Sequence, residues 1–150
     1  MRIRTMELPD RAEWLRMLLS LYPDSVESDH ASSVDAFLAR AAHDELLPSE
    51  VFTIDRDGGG LGGFLELSVR NYAEGCDGET RYVESWYVDP DLRGTGAGKL
   101  LMQAAEQWAR EHGYTELASD TELSNEPSQR AHAALGFEEV ERAVHFRKPL

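Results

Sequence analysis

"YVDPDLRGTGAGKLL", residues 87–101, decides the fold. It joins an apolar run that reads as a strand to a turn holding Arg93-Gly94-Thr95-Gly96-Ala97-Gly98. That turn leads into a helix whose inner stripe is Leu100, Leu101, Ala104, Ala105 and Trp108, ended by Gly113. Glycine lets a backbone approach a ligand closely, and the free amides at a helix N-terminus offer donors and a favourable dipole to a pyrophosphate. Two phosphate loops are excluded. A Walker loop needs Gly five residues before its Gly-Lys pair and Ser or Thr after it, where this chain has Arg93 and Leu100. A dinucleotide fingerprint needs G-x-G-x-x-G, whereas Gly94, Gly96 and Gly98 are spaced two by two.

Outward from this segment the pattern alternates between strands and helices. Toward the N-terminus lie a strand at 81–88, a polar loop at 71–80 containing Tyr72 and Glu79, and a hairpin in which "VFTID" (51–55) and "LGGFLELSVR" (61–70) flank the glycine-rich turn 56–60. Before the hairpin, Leu15, Leu18, Leu19 and Tyr22 recur at helical spacing between Pro9-Asp10 and Pro23. A second helix is expected over about 32–43, with Val34, Phe37, Leu38 and Ala41 inward, and a short strand near 2–5 opens the chain. Toward the C-terminus the expectation is a strand at 115–120, a helix over about 126–135 and a final strand at 139–146. Together these indicate a mixed sheet covered by helices, an α/β (α+β) architecture, as one domain over residues 1–150.

Composition narrows the function. Among 150 residues the formal net charge is −13, which argues against a nucleic-acid partner and favours a cationic one. Residues 1–80 hold 7 basic and 16 acidic side chains, and residues 81–150 hold 8 and 12, so the acidity is concentrated in the first half. Solubility alone also accounts for a negative surface. No apolar stretch approaches the roughly 20 residues of a membrane span, and Arg2, Arg4, Glu7 and Asp10 interrupt any leader-like run. Cys76 is the only cysteine, so a thiolate metal cluster is excluded, and a reducing cytoplasm fits. His112 and His145 lack partners at metal spacing, and no metal is expected.

The glycine turn resembles that of the GCN5-related N-acetyltransferases. Their Arg/Gln-x-x-Gly-x-Gly/Ala motif is matched by Arg93, Gly96 and Gly98, and their Asn followed by a helix ending in Gly-Phe is matched by "NEPSQRAHAALGF", residues 125–137. The resemblance spans essentially the whole chain. It implies a central mixed, mostly antiparallel sheet flanked by helices, with acetyl-CoA as co-substrate. The implied cofactor-binding residues are Tyr87, Val88, Arg93, Gly94, Thr95, Gly96, Ala97, Gly98, Lys99 and Asn125. A narrower resemblance, carried by "ELASDTELSNEPSQRAHAALGFEEVERAVHFRK" (116–148), "YVESWYVDPDLRGTG" and "WLRMLLSLYPD", is to the aminoglycoside 6'-N-acetyltransferases. That group implies an amine site lined by Glu84 and Asp120, an aminoglycoside as the cationic partner, and a homodimer.

The chemistry can be argued separately. Acetyl transfer from a thioester needs a neutral amine, a donor for the developing oxyanion and an acceptor for the amine's proton. An acidic pocket holds ammonium groups but raises the pKa of the amine that must react, so a carboxylate, directly or through water, has to take the proton. Strict alternation would put Tyr82, Glu84 and Trp86 on one strand face, with Glu84 at the sheet centre, and would put Asp120 at a strand's C-terminal end. The backbone near Val88 resembles the family's oxyanion donor. Where many family members carry Tyr as proton donor to the leaving thiolate, this chain has His132, which either donates that proton or fills helix space. Tyr22 and Tyr72 lie beside loops and could pack on sugar rings; Glu79 adds charge nearby. Acetylation of another amine, such as a polyamine or a protein N-terminus, and a non-catalytic acyl-CoA sensor remain the alternatives.

Overall fold

The computed structural model describes residues 1–39 and 48–150. Five strands form one sheet in the order β1 (Arg2–Thr5), β2 (Glu50–Asp55), β3 (Leu61–Arg70), β4 (Thr80–Val88) and β5 (Leu117–Ser119). The first four pair antiparallel, and β5 joins β4 in parallel. Helices α1 (Arg11–Leu21) and α2 (Glu27–Leu38) precede β2, α3 (Ala97–Glu111) links β4 to β5, and α4 (Glu126–Ala134) follows.

Each sheet face buries its own apolar cluster. On one side Trp14, Met17 and Leu18 of α1 and Val34 and Phe37 of α2 close over Val51, Phe64 and Tyr87. On the other, Leu101, Met102 and Ala105 of α3 pack against Phe52, Ile54, Leu65, Leu67 and Val83. In β2 and β3 successive residues turn to opposite faces of the pleat, and because both faces are covered, residues 51–54 and 61–65 are buried without a break.

Three features depart from the sequence expectations. Helix α2 begins at Glu27, about a turn early, because Asp29 accepts the Val26 N–H at 3.1 Å and so starts the helix at a residue of no capping propensity itself. The far end of that expectation, including Ala41, lies outside the described residues. The final strand at 139–146 is not formed: residues 138–150 pair with no strand of the described chain, and Val140, Val144 and Phe146 are 60%, 72% and 93% exposed. Its apolar alternation meets no sheet edge among the described residues.

The third departure is in β4. Glu66 of β3 faces Ser85, yet the next residue, Leu67, faces Val83, so Glu84 is an extra residue on β4, a β-bulge. The bulge breaks the alternation. Tyr82, Glu84, Ser85 and Tyr87 all turn toward the α1–α2 side, while Val83, Trp86 and Val88 belong to the α3 side. Glu84 and Trp86 therefore do not share a face as strict alternation would have it.

Candidate active site

Strands β4 and β5 pair only over Arg81–Val83 and Leu117–Ser119. Beyond Val83, no described strand covers this edge of β4, and the sheet parts there. The Asp89 N–H bonds Gly62 O at 2.9 Å, which makes Gly63 and Val88 a non-hydrogen-bonded pair. In such a pair the backbone N–H points away from the partner strand, so the Val88 amide faces the opening. Its carbonyl faces the same way and accepts from Arg93 Nε at 2.9 Å, which ties the glycine turn to the strand end.

The turn itself is shaped for a ligand. Gly94 and Gly96 have φ of 78° and 93°, left-handed values that a side chain would strain, and a Cβ added at either would meet nothing within 4 Å. No side chain caps α3, whose first amides have no intrahelical acceptor. A pyrophosphate fits this arrangement of free donors and open space, with Lys99 and Arg93 exposed beside it. Gly98 serves differently: a Cβ there would lie 3.2 Å from the Trp86 ring, so its smallness seats the helix on the strand. Thr95 Oγ1 donates to Leu92 O at 2.7 Å, and Ala97 is buried. The Tyr87 side chain lies in the core with its hydroxyl donating to Asp89 at 3.1 Å, so only its backbone can serve the opening. Asn125 caps α4, accepting the Ser128 N–H at 3.2 Å.

On the α1–α2 side a cavity of about 450 Å³ is lined by Tyr22, His30, Glu66, Arg70, Glu84 and Ser85, among others. Arg70 grips Glu84 with two bonds of 2.8 and 2.7 Å, and Ser68 donates to the same carboxylate. The Tyr22 hydroxyl shares a 2.8 Å bond with Ser85 Oγ, and burial raises its pKa. Glu66 receives the Trp14 indole N–H at 3.1 Å and a hydrogen bond with Ser85; burial pushes its pKa up to about 7 against those two donors. Sequence reading did not weigh Glu66, Ser68, Arg70 or Ser85. The signal was an acid and two polar residues at 66, 68 and 70, one parity of an otherwise apolar strand.

Asp120, just past β5, accepts the Tyr82 hydroxyl at 2.7 Å; burial and Asp120 together raise the Tyr82 pKa. Arg70 lies over the Tyr82 ring at 3.6 Å, linking Asp120 to the Glu84 group. His132 lies across the opening, its Nδ1 2.8 Å from Ser128 O and its Nε2 2.8 Å from Ser119 Oγ. A carbonyl can only accept, so Nδ1 carries the proton and Nε2 accepts in the neutral ring. The ring stands edge-on to Trp86 and Phe137. Tyr72 is 70% exposed on its loop, and Glu79 accepts the Tyr114 hydroxyl; neither reaches the cavity. Among the described residues no three His, Cys, Asp or Glu side chains are arranged for a metal, and no helix is long and apolar enough to cross a membrane.

A parted sheet, an uncapped helix behind a glycine turn and a polar cavity across the strand match a known family. Residues 12–137 match the Acetyltransferase (GNAT) family. The chain belongs to that family. It is 44% identical over 149 residues to an aminoglycoside N(6')-acetyltransferase type 1 of Klebsiella aerogenes, covering 99% of this chain and 96% of the relative. A namesake in Stenotrophomonas maltophilia is 36% identical over 99% of this chain and 93% of its own. A solved structure of AAC(6')-Iy in complex with a bisubstrate analogue, CoA-S-monomethyl-acetylneamine, superposes with a TM-score of 0.86 at 32% identity, covering 99% of this chain and 98% of the other. The GNAT chain described here thus shares its whole length with these relatives.

Proposed function

We propose that this acetyltransferase moves the acetyl group of acetyl-CoA to the 6'-amine of an aminoglycoside. The carrying observation is the placement of Glu84: the bulge turns it into an acidic cavity on one side of β4 while the adjoining Trp86–Val88 stretch borders the glycine turn on the other. An amine held by Glu84 then meets the thioester at the parting of the sheet. The co-substrate supplies the activated acyl carbon. Residues 93–99 hold its pyrophosphate, the Val88 amide donates to the developing oxyanion, and Glu84 with Tyr22 orients the ammonium. Asp120 adds charge from β5. His132, with both nitrogens bonded, braces α4 against β5 and Trp86.

The net charge of −13 suits a polycation and disfavours nucleic acid or an anionic membrane surface. A single domain in the cytoplasm, where acetyl-CoA is made, is the setting we infer. The exposed Val144 and Phe146 of segment 138–150, which joins no described strand, support a homodimer in which a second copy covers them; sedimentation as a monomer at micromolar concentration would overturn that part.

The test of function is kanamycin acetylation, alongside an analogue with a 6'-hydroxyl. The amine should be acetylated and the hydroxyl analogue left unmodified. Equal rates on both would remove the 6' assignment, and turnover of polyamines or peptides without any on aminoglycosides would assign another amine.

A further inference from the structure

Three carboxylates lie near the parting of the sheet, and their partners differ. Both oxygens of Glu84 are occupied by Arg70, and Asp120 Oδ2 by the Tyr82 hydroxyl. Glu66 has only neutral donors among the described residues: the Trp14 indole and the Ser85 hydroxyl. It stands mid-strand between Leu65 and Leu67, which face α3, and turns its own side chain to the opposite face, into the cavity beneath Trp14. Glu66 itself lines the cavity, and Ser85, its partner across β3 and β4, shares a 2.8 Å hydroxyl bond with Tyr22, which places a proton-relaying hydroxyl beside the carboxyl.

We propose that Glu66 is the proton acceptor of the reaction, receiving the amine's proton by way of the Ser85 hydroxyl or a water beside it, while Glu84 orients the ammonium. The proposal rests on the acetyl-transfer reading above. During one turnover the ammonium nitrogen loses two protons. The first goes to Glu66 and frees the lone pair that forms the C–N bond as the C–S bond breaks. The second leaves as the amide forms. One proton ends on the CoA thiol, and one is released to solvent as Glu66 resets. An acceptor matched to neutral pH suits this cycle, and burial gives Glu66 that match. The charged and titratable groups facing it are Tyr22 at the C-cap of α1, His30 from α2, Arg70 on its own strand and Glu84 from β4.

Two readouts test this. The Trp14 indole N–H bonds Glu66 directly, so its NMR resonance should titrate with a midpoint near neutral pH in the wild type without substrate, and the transition should vanish in Glu66→Gln. With kanamycin, Glu66→Gln should lose roughly 10²–10⁴-fold in kcat with KM changed little, together with the acidic limb of the kcat/KM profile. Glu66→Asp should recover part of the rate. Glu84→Gln should act chiefly on KM. A flat Trp14 titration, or wild-type kcat and pH profile in a folded Glu66→Gln protein, would overturn the proposal. Absence of activity on any aminoglycoside in the wild type would strike the function reading instead, while the Trp14 titration still reports on Glu66.

Discussion

The molecule treats its acids in two opposite ways: several are clamped by arginine, as Glu84 is by Arg70 in the cavity, and Glu66 is not. At the hairpin end, Arg4 holds Asp10 and Asp55, and Asp89 sits buried between Arg16 and Arg56, with Asp91 also on Arg56. The Arg4 hydrogen bond keeps Asp10 below its ordinary range; burial works against ionised Asp89, yet Arg16 and Arg56 hold it below its range too. At the cavity end, burial raises Glu66 and no arginine offsets it. A guanidinium-paired acid fastens elements together; an acid left to neutral donors is available for proton chemistry.

Breaking the contrast at its strongest point means removing Asp89. Asp89→Ala removes the buried acceptor that Arg16, Arg56 and the Tyr87 hydroxyl share and should cost about 3 kcal/mol, seen as a Tm lowered by about 6–12 °C. Retention of the wild-type Tm would mean that the hairpin end does not depend on this clamp.

A smaller effect of opposite sign is expected at Glu66. A carboxyl whose folded pKa is raised binds more protons folded than unfolded between about pH 4 and 7, so its contribution to stability falls as pH rises through that window. Glu66→Gln should therefore be more stable than wild type at pH 8, by up to about 3 kcal/mol, with the difference closing by pH 4. Asp10 and Asp89, with lowered values, work the other way: their contribution is complete above about pH 4 and is lost as acid is added below it. Thermal melts of both variants across pH 3–9 separate the two signs.

The smallest effect sharpens the rule. Glu13 pairs with Arg16 at 3.1 Å, but both are 40% exposed. Glu13→Gln should cost no more than about 0.5 kcal/mol, and that difference should shrink in 0.5 M salt. A loss as large as that of Asp89→Ala would mean that burial is not what separates these pairs.

Much of this architecture was legible because it is written locally. The glycine turn, the helix after it and the Asn125-to-Phe137 run carry their own propensities, so loop and helix could be placed and the family recognised. The bulge could not: nothing in "RYVESWYV" marks Glu84 as the extra residue, since its position is set by how β3 pairs across from it. Glu66 was passed over for the same reason. One acid in an apolar strand reads as a solvent-facing residue until Trp14 and Ser85 are seen against it. The last strand failed differently, since alternation records which side chains could line one face and says nothing about whether a strand edge is there to pair with.

The bulge also sets how β4 tolerates changes in length. Because Glu84 is the extra residue, losing its codon would leave Leu67 facing Val83 and Glu66 facing Ser85, with Trp86 and Val88 still on the α3 side, and would remove only the carboxylate and the local kink. Losing the codon of Trp86 instead would set Tyr87 opposite Leu65 and turn it toward α3. A codon lost at Gly58, in the turn of the hairpin, shortens only a surface loop. In a library of single-residue deletions, β4 should therefore behave as though it had a reading frame of its own.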